Sequence, residues 1–178
     1  LKPFGCRITG VKRAPAASPP YFTDEDRIAT VESLPEILKS TDHLIMALPS
    51  QRQRDAGPGL ANVDDPQLQA VGHGVAGKPV FTREHFRMLP PRCLLYNVGR
   101  GDVYRETDLT EALRNREIAG AYLDVFETEP LPAESPLWEM DNVLIQPHLS
   151  AASPQYLDLY FAELAAKWSQ LDPVVKNG

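Results

Sequence analysis

The sequence predicts an α/β protein built on a doubly wound parallel sheet. Three observations lead there. Short apolar runs with strand character alternate with segments of helical spacing along the chain. The prolines, 17 among 178 residues, stand in connections rather than inside the apolar runs. Residues able to do chemistry, Arg100, Asp124 and His148, fall just past the ends of strand-like runs, which is where such sheets hold ligands. With 43% apolar residues the chain is large enough for one domain with a core.

The elements follow in order. Leu1-Lys2-Pro3-Phe4-Gly5 reads as the end of a helix and its stop signal. Domains rarely begin in mid-element, so further residues are expected ahead of Leu1. Residues 6–11 read as a short strand, and residues 12–23, with Pro15, Pro19 and Pro20, as a loop. Residues 31–38 carry Ser33 as a cap, Pro35 in the first turn and helical apolar spacing. The run from His43 to Leu48, ended by Pro49, suits a buried parallel strand. Residues 50–80 are rich in Gln, Arg, Asp, Gly and Pro without a period, and read as an irregular insertion. Thr82 is a helix cap before residues 83–89. Residues 92–98 form the next strand, and residues 106–114 a helix with Leu109 and Leu113 four apart. Residues 118–125 and 142–145 are further strands. Residues 154–171 are an amphipathic helix with Leu157, Phe161, Leu164, Ala165 and Trp168 on one face.

Composition narrows the partners. The net charge of −6 argues against nucleic acid. No apolar run approaches the ~18 residues of a membrane span, and no signal peptide is visible, so the expected location is cytoplasmic. Cys6 and Cys93 both sit in strand-like runs and are expected as buried free thiols, with a disulfide the lesser reading. His43, His73 and His85 lack ligand spacing, so no metal site is expected. Gly72-His73-Gly74-Val75-Ala76-Gly77 matches G-x-G-x-x-G, but a polar stretch precedes it and Lys78-Pro79 follows where a helix would start. That context marks it as a chance match.

The chemistry concentrates in three blocks: Asn97-Val98-Gly99-Arg100-Gly101, then Asp124-Val125-Phe126-Glu127-Thr128-Glu129-Pro130, then Pro147-His148. Arginine can hold a carboxylate at two points. Histidine can exchange a proton near neutral pH, and a carboxylate nearby can orient a histidine and favour its charged form. These are the parts needed to interconvert a 2-keto and a 2-hydroxy acid. Lys12-Arg13 ends the first strand at a place where an acid would read a ribose 2′-hydroxyl; two cations suit a 2′-phosphate instead.

In order and spacing these blocks, together with Ile118-Ala119-Gly120-Ala121-Tyr122-Leu123, Ser135-Pro136-Leu137-Trp138 and Asn142-Val143-Leu144-Ile145, resemble the D-isomer-specific 2-hydroxyacid dehydrogenase family. The resemblance is weaker over residues 1–13 and 34–49 and absent over 50–80. It implies a partial Rossmann-like NAD(P)-binding domain over residues 1–150, lacking its first strand and glycine-rich loop. Residues 151–178 would be a helix returning toward an absent substrate domain. It further implies that Arg100 binds the substrate carboxylate, that Glu129 rather than Glu127 pairs with the catalytic histidine, and that His148 is the general acid/base. Asp124 would contact the nicotinamide amide. The backbone of Val98, Gly99 and Arg100 would lie near the nicotinamide, and Leu48-Pro49 would belong to a loop facing cofactor and substrate. NADP is favoured over NAD. A small 2-keto or 2-hydroxy acid is the expected partner, with glyoxylate and hydroxypyruvate ahead of formate or phosphoglycerate, and the full-length protein is expected to be a homodimer. Without its phosphate loop and substrate domain the piece alone would be inactive. The alternative is a non-catalytic relic, or a dinucleotide-sensing module of the same fold.

Overall fold

The computed structural model describes residues 1–49, 79–150, 153 and 155–169. Among them six short strands pair only in parallel, in two sheets. β1 (Thr9–Lys12) lies beside β2 (Arg27–Thr30), with Thr9 opposite Arg27. The second sheet has the order β3 (His43–Met46), β4 (Leu94–Asn97), β5 (Gly120–Leu123), β6 (Val143–Ile145). His43 faces Leu94, Leu94 faces Gly120 and Ala121 faces Val143, so the carboxyl ends of all four strands emerge side by side.

Strand alternation sorts the side chains. Met46, Leu95, Ala121 and Leu123 point into the core, with Leu44, Val143 and Ile145 packed against it. A helical layer closes this face. It consists of α1 (Leu34–Leu38), α2 (Arg83–Met88) and α3 (Glu106–Arg114), with α2 touching both others. α3 buries Leu109, Thr110, Ala112 and Leu113, and its acidic first turn and terminal Arg114 suit the helix dipole. In α2 the side chains of Thr82 and His85 satisfy each other's free backbone N–H groups, the Thr82 amide donating to His85 Nδ1 at 2.9 Å. Burial pushes the His85 pKa down, outweighing the Glu84 charge, which fits a ring nitrogen that must accept. Phe86 is fully buried and meets Phe81 and Tyr104 edge-on, with ring centres 4.9 and 5.9 Å away.

The opposite sheet face is less covered by the described residues. Ile45 and Leu144 remain 43% and 55% exposed there, because no described helix packs against them. α4 (Tyr156–Ser169) leaves Leu159, Tyr160 and Phe161 exposed, so Phe161 does not mark a buried stripe.

Other local expectations shift for identifiable reasons. The first strand begins at Thr9 rather than at residue 6, and a single 3₁₀ turn, Lys2–Phe4, ends at Gly5 with φ 70°. β2, with only Ile28 and Ala29 apolar among its four residues, is absent from the sequence expectations. The helix expected over 31–38 opens as a 3₁₀ turn, Val31–Ser33, and the Ser33 hydroxyl makes no capping bond. β3 is buried on one face only. Cys93 is buried, which pushes its thiol up to about 11, whereas Cys6 is only partly buried; both are free. The irregular stretch 50–80, apart from its last two residues, and the G-x-G-x-x-G match at 72–77 lie outside the described residues. No described helix is long and apolar enough to cross a membrane.

Asp26 ties the small sheet together. It accepts the amides of Ile8 (2.7 Å) and Thr23 (2.8 Å) and the Thr23 hydroxyl, and pairs with Lys2 at 2.8 Å. Lys2, then the Thr23 amide, hold its carboxyl well below the usual carboxylate range. A carboxylate depressed in the folded state contributes stability above its unfolded pKa, about 3.9, and loses it as pH falls toward the folded value. Urea unfolding at a series of pH values is therefore expected to weaken below about pH 4, and Asp26→Asn is expected to flatten that acid limb. An unchanged acid limb in the variant would show that Asp26 does not hold the turn.

Candidate active site at the carboxyl edge of the four-stranded sheet

Asn97, the last residue of β4, organises the turn that carries Arg100. It is fully buried. Its Oδ1 accepts the Gly99 amide at 3.1 Å, and its Nδ2 donates to the Arg100 carbonyl and the Tyr104 hydroxyl, each at 3.0 Å. This turn-making use of Asn is a general property of its side chain. Two glycines let neighbouring backbones close around the turn. A Cβ at Gly99 would lie 2.6 Å from the Leu48 carbonyl oxygen, and one at Gly101 would lie 1.9 Å from that of Phe126. Leu48 against Gly99, and Gly101 against Phe126, thus bring the ends of β3, β4 and β5 into contact. The Arg100 side chain is exposed, and its Nη1 donates to the Gly99 carbonyl at 2.9 Å.

Beyond β5 the chain turns so that Glu129 folds back. Its Oε1 accepts the Phe126 amide at 3.0 Å, and its Oε2 accepts from His148 Nδ1 at 2.8 Å. The two side chains are 37% and 46% exposed, so the pair is open to solvent on one side. Glu127 goes elsewhere. Its amide donates to Glu106, and burial pushes both carboxyls up, helped by the Glu127 charge at Glu106 and by the Asp108 and Asp102 charges at Glu127. Of the two acids in the block, Glu129 is the one that meets the histidine.

Asp124 follows the last residue of β5. It has no exposed surface. Its Oδ1 accepts the Leu149 amide at 2.7 Å and its Oδ2 the Ser150 amide at 2.9 Å. Burial penalises its charged form, but the Ser150 hydroxyl and amide, the Leu149 amide and nearby His148 outweigh this and hold the carboxyl below its usual range. His148 itself sits at φ 56°, in the left-handed region.

Leu48, Pro49, Val98, Gly99, Arg100, Asp124, Glu129 and His148 therefore all lie at or just beyond the carboxyl ends of adjacent strands. Lys12 and Arg13, both exposed, lie at the carboxyl end of β1 in the other sheet. Two surface depressions lie elsewhere, one between Leu113 and Asn142 and one over Tyr96, Tyr122 and Leu144. The roles of Asn97 and of the Leu149 and Ser150 amides go beyond the sequence expectations. The Asn-x-Gly spacing is the available signal for the first, and no sequence signal marks backbone amides.

Comparison with known proteins finds similar sequences and folds. Residues 74–150 match the family described as D-isomer specific 2-hydroxyacid dehydrogenase, NAD binding domain. A glyoxylate/hydroxypyruvate reductase B of Pectobacterium carotovorum subsp. carotovorum is 48% identical over 71 residues, 40% of this chain and 22% of that relative. A D-isomer specific 2-hydroxyacid dehydrogenase of Xanthobacter autotrophicus Py2, solved with NADPH and MES, is 32% identical with a TM-score of 0.64, over 95% of this chain and 59% of that one. A family protein of Aeromonas salmonicida subsp. salmonicida A449 is 32% identical with a TM-score of 0.69, over 97% of this chain and 47% of that one. The chain thus spans about half the length of these solved structures. The matched stretch carries every block at the carboxyl edge of the four-stranded sheet, so it is over residues 74–150 that the chain is similar to the D-isomer specific 2-hydroxyacid dehydrogenase family.

Proposed function

We propose that the protein moves a hydride between NAD(P)H, preferentially NADPH, and a small 2-keto or 2-hydroxy acid such as glyoxylate or hydroxypyruvate. The observation that carries this is the 2.8 Å contact between His148 and Glu129 on the same strand edge as Arg100. The name of the Pectobacterium relative supports the substrate class, and the NADPH in the Xanthobacter structure supports the cofactor.

The residues present fit such a cofactor in part. Lys12 and Arg13, both solvent-facing, suit a 2′-phosphate, and the partly exposed strand end at Leu48, beside Gly99, suits a flat ring. The described residues contain no glycine-rich turn leading into a helix, so nothing among them cradles a pyrophosphate. Lys12, Arg13, Leu48, Pro49, Val98 and Gly99 would hold the cofactor, which when bound supplies the hydride. Arg100 would swing from the Gly99 carbonyl to grip the substrate carboxylate at two points. The Nε2 of His148 would give its proton to the ketone oxygen as C2 is reduced, and would take it back in the oxidative direction. Glu129, accepting from Nδ1, would fix the ring and its tautomer. In this reading residues 1–150 serve the dinucleotide and residues 151–178 return toward a substrate domain.

The test is NADPH or NADH consumption with glyoxylate and hydroxypyruvate. Turnover is expected, with NADPH bound about tenfold or more tightly than NADH, the order of magnitude of charge-assisted contacts to a phosphate. A strong NADH preference would overturn the reading of Lys12 and Arg13. Dinucleotide binding without turnover of any 2-keto acid would point instead to a dinucleotide-sensing module.

A further inference from the structure

We propose that Asp124 is a positioning residue: its two carboxylate oxygens clamp the Leu149 and Ser150 amides, hold His148 in its left-handed turn and so set the imidazole against Glu129. The functional meaning of this rests on the role proposed for His148; the clamp itself is a matter of geometry.

A residue other than glycine in the left-handed region is disfavoured by contact between its Cβ and the backbone. His148 adopts φ 56° nonetheless, so something outside the residue must hold it there. Two successive amides that follow a left-handed residue and converge on one anion form the concave arrangement known as a nest. Here the anion is a side chain of the protein. The Leu149 amide reaches Asp124 Oδ1 at 2.7 Å and the Ser150 amide reaches Oδ2 at 2.9 Å. Asp124 is well placed to act as a fixed post. Its amide donates to the Asn97 carbonyl at 3.0 Å, it follows the last residue of β5, and it has no exposed surface. The histidine is then held at two points, its backbone through Asp124 and its ring through Glu129 at 2.8 Å. Glu129 is in turn fixed by the Phe126 amide, two residues beyond Asp124. The block between positions 124 and 129 therefore supplies both anchors of the turn and ring.

This assigns Asp124 a different task from the cofactor contact that the family resemblance implies, and the two can be separated without measuring turnover. Asp124→Asn keeps the size of the side chain and removes its charge. In the protein free of cofactor and substrate, amide exchange at Leu149 and Ser150 is expected to accelerate about tenfold or more, while amides of β4 and β5 keep their protection. The low-field Nδ1 proton signal of His148, which reports its bond to Glu129, is expected to broaden or vanish. Unchanged exchange at both amides overturns the proposal. Faster exchange with the His148 signal retained also overturns it, because the loop would then not place the ring. A variant that keeps both signals and loses NADPH affinity marks Asp124 as a cofactor contact and likewise overturns the clamp. If Asp124→Asn does not fold, Ser150→Ala decides, since that hydroxyl is the further group that Asp124 engages. Severalfold faster exchange at Leu149 then supports the clamp, and unchanged exchange overturns it.

Discussion

His148→Ala is expected to lower turnover with a 2-keto acid by about 10³-fold, the middle of the range for a general acid or base, while NADPH affinity stays within a few fold. The ring is 46% exposed and its one described side-chain bond is to Glu129, so its removal opens no cavity in the core. Alanine at φ 56° meets the same backbone contact as histidine, so the turn is neither relieved nor further strained. What disappears is the proton carrier. Steady-state rates against the unsubstituted protein measure the effect, and NADPH titration controls for folding. A rate within tenfold of the original would remove His148 from the chemistry. Glu129→Gln is a milder companion, because an amide oxygen still accepts from Nδ1 and keeps the ring oriented, although the carboxylate charge beside it is gone.

Gly101→Ala is the second large effect, and it acts on stability. An added Cβ would lie 1.9 Å from the Phe126 carbonyl oxygen and 2.6 Å from the Glu127 amide nitrogen. These are backbone atoms, so no side chain can rotate away. Phe126 and Gly101 are both buried, on connections leaving neighbouring strands, and separating them would also shift Arg100 and the Glu129 loop. A loss of about 3 kcal/mol is expected, at the upper end for overpacking. That is a large share of the 5–15 kcal/mol typical of a folded domain. Urea unfolding midpoints measure it, and a loss below about 1 kcal/mol would mean that the two segments separate easily.

The legible parts of the sequence are those where local chemistry and tertiary demand coincide. α3 is readable to the residue because Glu106 opens it, Leu109 and Leu113 face one way, and packing agrees. β4, β5 and β6 are readable as apolar runs ended by turn residues. β2 is not. Its four residues begin with Arg27 and follow the charged stretch Asp24-Glu25-Asp26, and it is a strand because Asp26 and β1 hold it there. Ser33 looks like a cap, yet the 3₁₀ turn ahead of α1 leaves its hydroxyl out of reach of a free amide. In the site, residue types and spacing point to Arg100, an acid of the 124–130 block and His148, and only the family resemblance singles out Glu129 over Glu127. The contacts that bring them to one edge are mostly backbone contacts between residues far apart in the chain, such as Gly101 with Phe126 and Asp124 with Leu149. Such contacts leave no periodicity to read.

The left-handed backbone at position 148 has an evolutionary corollary. Glycine would sit there with less steric discomfort, by roughly 1 kcal/mol, and the molecule would endure heat slightly better. It would also be chemically mute. Pressure for robustness and pressure for turnover therefore pull this codon in opposite directions, and a lineage released from the second would be expected to drift toward glycine.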